Sequence, residues 1–406
     1  MSIKAASTGH VAVGPPSKSI QGPGTIEGSG LFRSWTDRIS GVQSWILSRR
    51  VAPMQMSFYF TNPSFTSDER YYWFYCCFPP GGRNGNGWQL GVVDFCEGSV
   101  HLYPETMFLD ASPYVDAITG EAYWTTGLEV WKRGPRPDDA ASLVGSFPTA
   151  LANNRRPRRI ATHLTRSADG KSFGIDAEFS PQWFVGDLLL SGAEARIWNT
   201  FDRCYNHAQF SPTDPDLLLI AQDGWHDAAT GAKGDCEDRL WLLRRGEEAR
   251  PIFPDSPSNM RGHEWWDADG EHVWYIDYRK GTEKVNILTG KFLNVWPAGH
   301  THSHSDRSGR FLVGDINTGP DQWRLAFYNI ETGVELPIVS SYPVYPSRAP
   351  GTALSARTLG YDRTQYHVHP HPQFCCNDRY IAYTTNVFGN IDVALVSVEQ
   401  LIALSS

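Results

Sequence analysis

Five histidines of this chain hold one address in a recurring segment, each seven residues before the turn that closes a strand pair: His163 before Gly170, His207 before Asp214, His263 before Gly270, His302 before Gly309 and His371 before Asp378. Each segment reads as the start of a strand, a polar turn built on Asp, Gly or Asn, and then an apolar strand. The pattern is visible in SADGKSFGI, SPTDPDLLLI, DADGEHVWYI, SDRSGRFLVGD and CCNDRYIAY. Two earlier copies, PSFTSDERYYWFY from Pro63 and SPYVDAITGEAYW from Ser112, carry Asn62 and Pro113 where the histidine would stand. A single strand-turn-strand unit cannot bury its own apolar faces, so repeated copies must stack on one another.

A unit of roughly forty to fifty residues, split into short strands and repeated seven times, predicts an all-β, seven-bladed β-propeller. The strands are read from short apolar runs rich in aromatic and β-branched residues, such as RYYWFYCCF, DRLWLLRR and IDVALVSV, set between Gly, Pro, Asn and Asp. The blades are expected near residues 56–105, 106–148, 157–200, 201–255, 256–297, 298–343 and 364–402. The segment SWTDRISGVQSWILS from Ser34 is expected to supply an outer strand that closes the ring onto the last blade, because an open ring would leave exposed strand edges. Helix is expected only as a turn or two near Asp138 and Val398. Residues 1–30 read as a flexible N-terminal arm and 31–406 as one catalytic domain.

The innermost strand of every propeller blade runs along the central channel, so equivalent positions form a circle at one mouth. The five histidines are therefore expected to face one another across a funnel. In the last blade, TQYHVHPHPQF places Gln365, His367, His369 and His371 at alternate positions, on one face of an extended strand. The sixth blade repeats the alternation in GHTHSHSD, with His300, His302 and His304. Two such clusters on adjacent blades supply several neutral imidazoles converging on one point, as a transition metal requires. Imidazole favours Mn²⁺ or Zn²⁺ over the oxygen-seeking Ca²⁺, whereas a site completed by waters and a carboxylate suits Ca²⁺. A divalent cation is expected, Mn²⁺ or Ca²⁺ ahead of Zn²⁺.

Composition narrows the partners. A net charge of −8 argues against nucleic acid, which calls for a basic face, and no apolar run is long enough to span a membrane. Seven cysteines, an odd number, fit no disulfide framework, although Cys204 and Cys236 stand close enough in sequence to meet within the fourth blade. The N-terminus lacks the charged start and apolar core of a signal peptide, so the protein is expected in the cytoplasm, or outside the cell if its start is processed. It is expected to act as a monomer.

The His-Pro-His-Pro run of the last blade, followed by an aromatic, a turn and an apolar strand, resembles the oligogalacturonate lyases, seven-bladed propellers that cleave uronic-acid oligosaccharides by β-elimination. GHEWWDADGEHVWYIDY, DRLWLL and the His302 segment ending in GRFLVGD carry the same likeness, which covers blades four to seven. The resemblance implies that His302, His369 and His371 hold a divalent cation, that His263 is the proton-abstracting base, and that Arg239 with His226 contacts the substrate. The family's glutamine ligand, three residues before the first His of His-Pro-His, falls here on Tyr366, so Gln365 and His367 both stand as candidates for a fourth ligand. That departure also resembles the fungal L-rhamnose-α-1,4-D-glucuronate lyases. It implies release of terminal rhamnose from glucuronate, with oligogalacturonate cleavage as the alternative.

The chemistry asks for what the chain carries. Eliminating a C4 substituent from a uronate begins with removal of the C5 proton, which is acidified only by the adjacent carboxylate. A cation or an arginine must neutralise that carboxylate as charge builds up in the transition state. An imidazole of ordinary pKa ~6.5 is well placed as the base, and His207 or Tyr205 compete with His263 for the role. Trp225, Trp266 and Tyr366 are candidates for stacking on sugar rings, as is Trp265, and His163, His207 and Arg166 for holding the substrate. The basic run Arg155, Arg156, Arg158 and Arg159 is either a local attractor for a polyuronate or a solvated loop. Two other readings are a non-enzymatic propeller that binds a glycan or protein, and a metal-dependent hydrolase. The chain lacks the Gly-His and Trp-Asp marks of WD40 blades, and no set of acidic residues recurs at the ring positions to act as a hydrolytic pair.

Overall fold

The computed structural model describes residues 26, 28–78, 88–108, 113–192, 194–227, 230–319, 322–343 and 368–406. Among the described residues seven antiparallel blade sheets follow one another along the chain, with a separate two-stranded hairpin, Trp225–His226 with Lys233–Gly234, set between strands of the fourth. The first comprises Met54–Met56, Tyr71–Cys77, Trp88–Asp94 and Ser99–Phe108, and the second Tyr114–Val115, Ala122–Thr126, Glu129–Arg133 and Ser142–Ser146. In the third, Ser172–Glu178, Trp183–Leu189 and Arg196–Phe201 are regular, and the inner segment joins through the bridges Arg159↔Glu178 and Arg166↔Phe173 and through the hydrogen bonds from Gly174 N–H to Thr165 O and from Asp176 N–H to Ile160 O. The fourth holds Cys204–Phe210, Leu217–Asp223, Leu240–Arg244 and Arg250–Pro251; the fifth Arg261–Trp266, His272–Asp277, Gly281–Asn286 and Phe292–Trp296. The sixth holds His300–Ser305, Phe311–Gly319, Gln322–Asn329 and Val334–Val339. The seventh pairs Gln373–Cys375, Tyr380–Thr385 and Asp392–Ser397 with Gln43–Leu47 and Phe32–Thr36 from the other end of the chain. The fold is the seven-bladed β-propeller expected from the repeat, and the segment from Ser34 contributes two closing strands rather than one.

Second strands sit between neighbouring blades and read as continuous apolar runs, because both of their faces are covered. Every residue of Tyr71–Cys77 and of Ser172–Glu178 is buried, as are the indoles of Trp73, Trp183 and Trp274. The turn of the repeat reverses the chain through a left-handed residue, Gly270 at φ 68° and Gly309 at φ 66°, where a side chain would be strained. At the seam, Ser44, Trp45 and Ile46 pair with Val396, Leu395 and Ala394. Gln400 of the C-terminal helix Val398–Ser405 exchanges two hydrogen bonds with the backbone of Gln43.

One expectation changes. The chain near Asp138 forms turns, and the second short helix is instead Thr149–Ala152, where the Pro148 that precedes it cannot prolong a strand ladder. Ile26 is buried beside Leu31 and Phe32 in an apolar cluster, and residues 1–25 of the expected arm lie outside the described residues. All seven cysteines are free thiols, so Cys204 and Cys236 are not joined. Among the described residues no helix is long and apolar enough to cross a membrane.

One segment departs from the blade pattern and sets up the site. After Met56 the first blade's chain leaves its sheet and crosses the channel. Ser57 N–H donates to Thr384 Oγ1 of the seventh blade at 3.0 Å, and Asn62 Nδ2 donates to Leu164 O of the third at 3.1 Å. Asn62 thus bridges blades where other repeats carry histidine. The first blade sends Tyr59 and Phe60 into the channel.

Candidate active site

The inner strands carry their histidines on bulges. From Asn206↔Ala221 to Gln209↔Leu219, and from Gly262↔Ile276 to Trp265↔Trp274, three steps on the inner strand span two on its partner. The residue after each of these bulge starts is left-handed, His207 at φ 54° and His263 at φ 48°, and His371 has φ 41°. An extra residue with positive φ breaks the alternation of side chains and turns these imidazoles into the channel, at a conformational cost typical of functional positions. The ring expected from the spacing forms. His163 and His207 have centroids 4.8 Å apart, His263 and His302 4.4 Å, and His302 and His371 4.4 Å. Tyr59 stands inside it, stacked on His163 at 4.6 Å and within 6.5 Å of His263, 5.9 Å of His302 and 5.2 Å of His371.

One arc of the ring has the geometry of a metal site. A ligand nitrogen from each of His302, His369 and His371 can be chosen so that all three lie within 4.8 Å of one another. His302 is wholly buried, with Nδ1 2.8 Å from Asp315 Oδ2. Its Nε2 is buried and has no hydrogen-bond partner among the described residues. A histidine whose Nδ1–H is taken by a carboxylate presents an Nε2 lone pair, the usual state of an imidazole ligand, so the donor set fits a divalent cation. Burial pushes the imidazole of His302 down to about 3, which keeps it neutral. Of the GHTHSHSD trio only His302 joins this cluster. The register shift between His300 and His302 turns His300 onto Trp296, 4.0 Å away, and His304 accepts from Phe374 N–H at 3.0 Å. Gln365, Tyr366 and His367 lie outside the described residues.

The opposite arc is a charge network built around the buried Glu264. The Arg239 guanidinium pairs with Asp223, lies 3.8 Å from Glu264 Oε2 and approaches His207 Nδ1 to 3.3 Å. Glu264 Oε1 is 3.2 Å from the same His207 nitrogen. Burial raises the Glu264 carboxyl, but Arg239 and His207 outweigh it and hold the group near about 2. Burial lowers the affinity of Arg239 for its proton, and Asp223 and Glu264 more than reverse this, so the cation is permanent. His263 lies between the two arcs, where burial first, then His302 and Arg239, drive its imidazole well below the ordinary range. The imidazole of His263 is therefore held in its neutral form.

Other expected residues lie elsewhere. His226 is exposed on the hairpin Trp225–His226 and Lys233–Gly234, and among the described residues no hydrogen bond or ion pair joins it to Arg239 or His263. Trp225, on the same hairpin, packs against Trp183 at 5.0 Å. Tyr205 faces its own blade, where its oxygen accepts from Gln222 Nε2 at 3.1 Å. Arg166 is held by Asp116, and the Trp266 indole N–H donates to Gln209 O at 3.0 Å. Both line a cavity of 370 Å³ with Phe65, Ser305 and Asp378, towards the turn ends of the inner strands and away from the histidine ring. Within the basic run Arg155 bonds Ala152 O and Phe179 O, Arg158 and Arg159 lie 3.6 and 3.5 Å from Glu178, and Arg156 and Arg158 are exposed. Sequence reasoning missed Tyr59, Glu264, Tyr278 and Asp315. Only Glu264 had a signal, its place beside His263 in GHEWW.

No family model matches the chain. The oligogalacturonate lyase of Dickeya dadantii (strain 3937) is 25% identical over 278 residues, covering 64% of this chain and 68% of the relative. An oligogalacturonide lyase of Pectobacterium atrosepticum is 25% identical over 279 residues with the same coverage of 64% and 68%. An oligogalacturonate lyase solved in complex with manganese superposes with a TM-score of 0.68 at 17% identity, over 90% of this chain and 96% of that one. The fold is that of the oligogalacturonate lyases. The Vibrio parahaemolyticus oligogalacturonate lyase superposes with a TM-score of 0.67 at 15% identity, over 90% and 96% of the two chains.

Proposed function

We propose that this chain is an enzyme, a carbon–oxygen lyase that cleaves a uronic-acid glycosidic bond by β-elimination, with oligogalacturonate as its substrate class. The observation that carries this reading is the meeting of three parts in one channel: the permanent cation Arg239, the neutral imidazole His263, and the trio His302, His369 and His371. The relatives named above support oligogalacturonate ahead of the terminal rhamnosyl-glucuronate bond favoured by sequence alone.

Each residue has a task in that reaction. Arg239, braced by Asp223 and Glu264, presents its remaining N–H donors to the substrate carboxylate and neutralises it. His263 accepts the C5 proton. The C5–H electron pair forms the C4=C5 double bond, the C4–O bond breaks, and the departing oxygen takes a proton from solvent. His163, His207 and Tyr59 wall the site and limit its contact with water, which strengthens the charge interactions inside it while leaving solvent to reprotonate the departing oxygen. A divalent cation held by His302, His369 and His371, with Mn²⁺ the leading candidate, would supply further neutralisation of the carboxylate as a Lewis acid.

The test is incubation with oligogalacturonate and, separately, with a glucuronate-terminated plant gum, following ultraviolet absorbance of an unsaturated uronate and chromatography of released sugars. Unsaturated galacturonides are the expected product. Free rhamnose with an unsaturated glucuronate end would move the substrate to the gum, and a saturated product would exclude elimination.

A further inference from the structure

Tyr278 follows the strand His272–Asp277, anchored by its backbone N–H to Met260 O at 2.9 Å. Its ring stands edge-on to His263, with centroids 5.6 Å apart and planes at 87°, and its Oη lies 3.2 Å from His263 Nδ1. Gly262 is the clearance for this contact. A Cβ there would fall 2.5 Å from Tyr278 Oη and 3.2 Å from Cζ. The φ of Gly262 is outside the left-handed region, so its backbone conformation does not call for glycine. The space does.

A neutral imidazole carries its hydrogen on one nitrogen and a lone pair on the other, and the partner of Nδ1 decides which. We propose that Tyr278 is a positioning residue for His263: its oxygen accepts the Nδ1–H and so fixes the tautomer whose Nε2 lone pair faces the histidine ring. The inference rests on the reading of His263 as the base. With the phenol as donor instead, Nε2 would carry the hydrogen and have no lone pair for the C5 proton. With the phenol as acceptor, Nε2 takes that proton, both ring nitrogens then bear hydrogen, and Nδ1–H goes on donating to Tyr278. The phenol dipole faces the new positive charge and no second proton has to move.

The test uses the full chain labelled with ¹⁵N-histidine and loaded with diamagnetic Zn²⁺, the His263 signals being assigned by their loss in His263→Gln. The expected result is the Nδ1–H tautomer in the wild type and its loss or averaging in both Tyr278→Phe and Gly262→Ala. Turnover on oligogalacturonate is expected to fall about 10–100-fold in each variant with KM little changed, as for other residues that orient a reacting imidazole. The double variant should be no worse than either single one, because both remove one contact. Gly262→Ala displaces the hydroxyl without deleting it, so it separates the lost bond from any packing defect in Tyr278→Phe. An Nε2–H tautomer in the wild type, or an unchanged tautomer and turnover in both variants, overturns the proposal. A wild-type enzyme that makes no unsaturated product overturns the reaction instead, and the tautomer measurement still decides the contact.

Discussion

Asp315 holds His302 twice: Oδ2 lies 2.8 Å from the ring Nδ1, and Oδ1 accepts the backbone N–H of the same residue, also at 2.8 Å. One carboxylate therefore sets both the orientation and the tautomer of a buried imidazole. Asp315→Asn keeps the shape but can offer N–H to Nδ1, which would leave the hydrogen on Nε2. Calorimetric titration with Mn²⁺ should show affinity weakened about 10–100-fold in Asp315→Asn. His302→Ala and His371→Ala should lose the ion on dialysis, as read by elemental analysis. Unchanged metal content in both would remove the trio from the site.

The same pair gives the cation site a pH dependence. Burial pushes the Asp315 carboxyl up to about 7, and burial holds His302 down at about 3. A cation on Nε2 requires the hydrogen on Nδ1 and favours a charged Asp315, so below about 7 it must displace a proton. Mn²⁺ affinity should fall as pH drops from 8 to 6, with proton release visible as a buffer-dependent enthalpy. Flat affinity across that range would show that Asp315 is already ionised there.

Glu264 gives a stability signature of opposite character. Its folded value, near about 2, lies below the ordinary 4.5, so its contribution is complete above 4.5 and is lost as pH falls towards 2. Thermal melts between pH 5 and 2 should decline steeply in the wild type and less so in Glu264→Gln. At neutral pH Glu264→Gln should cost about 3 kcal/mol, because it leaves the buried Arg239 with fewer countercharges.

Tyr59→Ala should leave the blades and the cation trio in place while opening the centre of the ring. The expected loss in kcat/KM is on the order of 10²-fold, the usual result of losing a close-fitting wall. Near-wild-type kinetics would show that the crossing segment is only a spacer.

The blade count and the ring were legible because both follow from spacing, and the repeat kept its spacing. Alternation misled where the backbone departs from it. The same rule placed His300, His302 and His304 on one face, and the shift at Thr301 leaves only His302 of these three in the trio. Arg166 and Trp266 lie only three residues beyond His163 and His263, yet those few strand steps carry them to the cavity at the turn ends. Tyr59, Tyr278 and Asp315 had no signal, since each reaches the site from a crossing segment, a strand end or a second strand that no periodicity links to the histidines.

The seam between Gln43–Leu47 and Asp392–Ser397 also orders events in the life of the molecule. A ribosome that has delivered the first six blades has yet to add His369 and His371, so the nascent chain carries one arc of its chemistry without the other. Competence arrives late and all at once, when the last blade finds strands made hundreds of residues earlier. Until then the protein can neither hold its ion through all three imidazoles nor present a complete site to a stray sugar acid.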